Sequence, residues 1–67
     1  MNRIHLSVNN MENAQNKTAI KNALEKVSGI NMVNVDLTRG TVEVGFNEPA
    51  SEDEIKSCIQ KTGFFVD

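Results

Sequence analysis

Apolar residues in this chain change their spacing along the sequence in an order that few folds accommodate. Arg3-Ile4-His5-Leu6-Ser7-Val8 alternates, the pattern of a strand with one buried face: Ile4, Leu6 and Val8 point inward, His5 and Ser7 outward. Ile20, Ala23, Leu24 and Val27 then recur at i, i+3, i+4 and i+7, one stripe of a helix whose wet side is Lys17, Lys21, Asn22, Glu25 and Lys26. Gly29 is placed to end that helix in a left-handed conformation. Val33, Val35 and Leu37 alternate, as do Val42, Val44 and Phe46, and Thr38-Arg39-Gly40 between them reads as a hairpin turn.

After the break at Asn47-Glu48-Pro49-Ala50, Ser51 and Glu54 form a capping box. Glu52 and Asp53 suit the positive end of a helix dipole. Ile55, Cys58, Ile59 and Thr62 are expected on the inner face of this second helix, with Gly63 ending it and Phe64-Phe65-Val66 forming a last short strand. The order is β-α-β-β-α-β. Two split strand-helix-strand units of this kind make an α+β, ferredoxin-like sandwich: a four-stranded antiparallel sheet with both helices on one face. The other sheet face is left open, and His5, Asn34, Asp36, Thr41 and Glu43 are expected on it.

At 67 residues the chain makes one domain, 1–67, which buries only roughly 60% of its unfolded surface. A composition 39% hydrophobic and 24% charged is that of an ordinary globular protein. The net charge of -2, with three Phe and no Tyr or Trp, offers neither the basic face nor the stacking platforms of a nucleic-acid binder. The single cysteine, Cys58, excludes an internal disulfide framework. No apolar run is long enough to span a bilayer and no signal-peptide pattern precedes Ile4, so no direct membrane insertion is expected. A cytoplasmic setting is the default, either as a free protein or as one module of a larger membrane protein.

Chemistry is sought first where strand hands over to helix, in Asn9-Asn10-Met11-Glu12-Asn13-Ala14-Gln15-Asn16. The loop supplies amides, one carboxylate and one thioether. Asn10 or Asn13 suits an N-cap, and Asn tolerates the positive φ that a tight loop demands. Catalysis has little support: the chain has one His, no nucleophile-base pairing in its sequence pattern, and acidic residues 52–54 that read as first-turn helix charges. An enzyme is not expected.

Several segments together carry a family resemblance. Ala23-Leu24-Glu25-Lys26-Val27-Ser28-Gly29-Ile30 is similar to an "A-L-x-x-[LV]-x-G-V" helix ending, and Val33-Asn34-Val35-Asp36-Leu37 to a "V-x-V-x-L" second strand. Gly40-Thr41-Val42-Glu43-Val44, Glu54-Ile55-Lys56 and Lys61-Thr62-Gly63-Phe64 follow at matching spacing. In these the chain resembles, nearly end to end, the heavy-metal-associated domain of copper chaperones and of metal-pumping P-type ATPases. In that family the first loop reads Gly-Met-Thr-Cys-x-x-Cys and its two cysteines hold the metal. The resemblance sets Asn10 at the Gly, Met11 at the Met, Glu12 at the Thr, and Asn13 and Asn16 at the two metal positions. It also implies that Phe64 lies near the loop.

Two thiolates hold Cu(I), or supply part of a tetrahedral Zn(II) site. An Asn amide oxygen is neutral and hard, so the expectation is a metal-carrier fold without tight soft-metal carriage and with no bound cofactor. Such a domain would dock on a metal-transport protein or on another domain of its own chain. Lys17 and Lys21, four apart on an exposed helix face, are the candidate docking charges, and a monomer is favoured. The alternative is a metal-binding domain of altered or weak preference, taking Cu(I), Zn(II) or a harder ion through Glu12, Asn13, Asn16 and Met11. Three oxygen donors with one charge make a poor cage for a hard cation. Met11 is expected in the core, Cys58 on the buried helix stripe and His5 on the open sheet face, which leaves them apart.

Overall fold

A computed structural model describes every residue from Met1 to Asp67. The elements follow the expected order: β1 (Asn2–Asn9), α1 (Ala14–Glu25), β2 (Ile30–Asp36), β3 (Thr41–Phe46), α2 (Glu52–Lys61) and β4 (Phe65–Val66). The four strands form one sheet in the order β2-β3-β1-β4, every neighbouring pair antiparallel. β3 therefore lies between β1 and β2, which the α1 crossover joins.

The alternation in β1 and β3 explains their faces. Leu6 and Val8 on β1, and Val42, Val44 and Phe46 on β3, are buried toward the helices, while Arg3, His5 and Ser7 are exposed. α1 presses Ile20 and Leu24 into this layer and α2 adds Ile55 and Ile59, all four with no solvent exposure. Burying side chains of this size is worth about 1.5–3 kcal/mol each, which makes them the main support of so small a domain. Met11, Ala50 and Phe64 close the ends of the same cluster.

Some boundaries differ from the periodicity. α1 ends at Glu25 with Lys26 as C-cap, so Val27 packs from a turn and Gly29 terminates nothing. Gly29 does have φ +96, but a Cβ there would lie 2.3 Å from the Asn47 carbonyl oxygen; glycine is needed for a close approach between two loops. The hairpin turn holds four residues, Leu37 to Gly40, because Asp36 pairs with Thr41 and Leu37 falls outside the strand. Thr62 is exposed as the C-cap of α2, not part of its inner face, and Phe64 precedes the last strand. Cys58 is only partly buried: it sits at the edge of the α2 stripe, facing the seam between the helices.

α2 begins with half of the expected capping box, Glu54 making no return bond to the Ser51 N–H, and ends as its sequence signals. Ser51 Oγ accepts the Glu54 N–H at 3.2 Å, and Gly63 follows the helix with φ +101. Three acidic residues occupy its first turn and Lys61 its last, both favourable to the dipole.

Candidate functional site

The loop between β1 and α1 is organised by its own asparagines. Asn10 takes φ +72, a left-handed turn that Asn adopts more readily than other residues with a Cβ. It reverses the chain out of β1, after which Met11 drops into the core at 8% exposure. Asn13 is the N-cap of α1: its side-chain oxygen accepts the Asn16 N–H at 2.9 Å. Asn16, half-buried in the first turn, reaches back to accept the Glu12 N–H, also at 2.9 Å. The two amides thus satisfy backbone donors on either side of one another, a variant of the capping box reaching one residue further upstream. Below the loop, Asn9 Nδ2 donates to Asp67 Oδ1 at 3.0 Å, fastening the end of β1 to the end of the chain.

Phe64 lies under this end of the fold. Its successor Phe65 pairs with Asn9, which sets Phe64 beside the start of the loop, and both Phe64 and Met11 belong to the buried cluster. Glu12 is exposed, and the first turn of α1 holds no acidic residue. Lys17 and Lys21 project into solvent along α1, without a carboxylate partner.

Cys58 and His5, the remaining candidate ligands, lie apart from the loop and from one another. Cys58 lines a groove of about 420 Å³ between the helices, together with Ala23, Lys26, Val27 and Lys61. Ala23 stands ten residues along α1 from Asn13, about 15 Å at helical rise. Burial pushes the Cys58 thiol above its ordinary value; Lys61 pulls it down and Glu54 adds to the rise. A thiol in such surroundings is protonated near neutral pH and a poor nucleophile. His5 is on the opposite side of the sheet, its Nε2 3.4 Å from Glu43 Oε2, with Arg3 Nη1 3.9 Å from the same oxygen. Nowhere do three His, Cys, Asp or Glu side chains converge in the manner of a metal cage.

The loop therefore brings together Asn10, Glu12, Asn13 and Asn16 at the surface over Met11 and Phe64, and separates them from Cys58 and His5. Its exposed donors are neutral amides and one carboxylate, chemistry suited to hydrogen bonding more than to a soft ion. Sequence reasoning missed the back-bond from Asn16, legible as a second capping amide three residues after the first. It also missed the Asn9–Asp67 clasp, which joins the end of β1 to the residue after β4 and has no local signature.

No helix is long and apolar enough to cross a membrane. The model of the heavy-metal-associated domain matches residues 5–65. No curated protein sequence matches the chain. Among solved structures, the metallochaperone CopZ shares 25% identity at a TM-score of 0.95, over 98% of this chain and 100% of that one. A copper-binding domain from HMA7, a P-type ATPase, shares 28% at 0.95, over 100% and 92%. A putative copper-ion-binding protein from Bacillus anthracis str. Ames shares 27% at 0.92, over 98% and 94%. On the match across residues 5–65, this chain belongs to the family of heavy-metal-associated domains.

Proposed function

We propose that this domain is a docking or regulatory module of a metal-transport system that has given up tight carriage of a soft ion. One observation carries the reading: the side-chain oxygens of Asn13 and Asn16, which the sequence resemblance sets at the family's metal positions, each accept a backbone N–H, from Asn16 in the first turn of α1 and from Glu12 in the loop. Neither side chain can ionise to a ligand anion near neutral pH, and both are used to hold the loop in shape. The docking surface is the exposed loop with Lys17 and Lys21 beside it, a cationic flank that steers encounter with an acidic face. The partner is a metal-transport protein or a neighbouring domain, in a cytoplasmic setting.

An anaerobic titration of the reduced protein with Cu(I) and with Zn(II), against competing chelators, tests the reading. The unaltered chain is expected to take up neither ion tightly, and an Asn13→Cys, Asn16→Cys double variant to take up one equivalent. One tightly bound equivalent in the unaltered chain would overturn the proposal and make metal binding the leading function.

A further inference from the structure

One flank of α2 carries opposite charges at its two ends. Glu54 stands in the first turn and Lys61 in the last, two helical turns or about 10 Å apart, with Ser57 and Cys58 between them. All four line the groove beside α1, whose other wall is formed by Ala23, Lys26 and Val27. Glu54 and Lys61 are exposed, Ser57 and Cys58 half-buried. The ion pairs of the chain lie elsewhere, on the open sheet face and in the turn after β2, so neither Glu54 nor Lys61 has a partner of opposite charge.

We propose that this groove is a docking surface for a second copy of the chain, whose α2 lies antiparallel across it about a two-fold axis between Ser57 and Cys58. Ser57 then faces Cys58 of the second copy and Glu54 faces its Lys61, each contact occurring twice. Ser57 and Cys58 are small enough for the helix axes to approach to about 8–10 Å. Charge fixes the register. Centring the pair one turn earlier would set Glu54 against its own counterpart, and one turn later Lys61 against its own.

The order of the charges favours a second copy over other occupants. An acidic segment laid along the groove would meet Glu54, and a basic one would meet Lys26 and Lys61. A reversed copy of α2 brings each sign to its opposite. Lys26 adds a positive charge from α1, but Glu52 and Asp53 share the first turn with Glu54 and outweigh it. The antiparallel arrangement also opposes the two helix dipoles. The interface is small and its charged contacts reach solvent, so association is weak, reversible and lowered by salt. None of the first-loop residues takes part, so the outcome is independent of the metal titration.

Sedimentation velocity from about 10 µM to 1 mM protein tests this, in the range where small interfaces are populated. The unaltered chain is expected to show a concentration-dependent dimer. Lys61→Glu and Glu54→Lys are each expected to weaken it at least about tenfold, because the two-fold turns each reversal into two repulsions. Combining the two reversals leaves the net charge of the unaltered chain and is expected to restore most of the association. If circular dichroism shows that a reversed variant does not fold, carbodiimide coupling of mixed isotope-labelled and unlabelled parent chains decides: a Glu54–Lys61 link between a labelled and an unlabelled peptide is expected. A monomer throughout the range, an undiminished dimer in folded Lys61→Glu, a double variant as weak as the single ones, or no such link would overturn the proposal.

Discussion

Asn13 shows how much of the first loop is a matter of single side chains. An N-cap amide replaced by Ala leaves a helix donor to solvent at a cost of about 1 kcal/mol. Asn13→Ala is therefore expected to lower the urea midpoint by that equivalent, while Asn13→Asp, which keeps the acceptor and adds a charge favourable to the dipole, should hold or raise it. An unchanged midpoint in Asn13→Ala would mean the bond to Asn16 contributes nothing. That an asparagine caps α1 was readable from residue type and position, but the choice of Asn13 over Asn10 was made by the backbone, which turns left-handed at Asn10. The return bond from Asn16 to Glu12 depends on where the loop carries the Glu12 N–H, which Asn10 sets by turning left-handed.

At the scale of elements, the glycines after the two helices look alike in sequence and do different work. Gly63 stands directly after the C-cap of α2, and a Cβ there would meet nothing within 4 Å. Gly63→Ala should cost only the left-handed backbone penalty, about 1–2 kcal/mol. Gly29 lies beyond the end of α1, bonded through its carbonyl to the Asn47 N–H at 2.8 Å. Its Cβ would run into the Asn47 carbonyl and the Ala50 nitrogen, both backbone atoms that cannot turn aside. Gly29→Ala is expected to destabilise clearly more than Gly63→Ala in paired denaturant titrations; equal losses would show that the loop yields freely. Periodicity located both glycines, but the approach of the Asn47–Ala50 turn to Gly29 is a long-range event.

For the whole molecule, stability rests on few residues. A chain of this length has about 3–10 kcal/mol to lose. Leu24 is fully buried between the helices and the sheet, and Leu24→Ala should cost about 2.5–5 kcal/mol through lost burial and the cavity left behind. That variant is expected to be largely unfolded at room temperature or to melt far lower, whereas Lys21→Ala on the exposed side of the same helix should stay within about 0.5 kcal/mol of the parent. Calorimetry showing a high, unshifted melting temperature for Leu24→Ala would contradict a core so concentrated.

The sequence by itself determined the element order, the inward faces of β1, β3 and both helices, the capping of α1 by an asparagine, Asn10 or Asn13, and the capping of α2 by Ser51. Each of these follows from local periodicity or from side chains acting on their own neighbours. Tertiary structure decided what depends on distant segments: that Cys58 lies at a helix seam and Thr62 in solvent, that Gly29 is pressed by Asn47, and that Asn9 is clasped by Asp67. The physical reason is that apolar spacing records which side of an element avoids water, while the segment that covers it is set only when remote parts of the chain pack together.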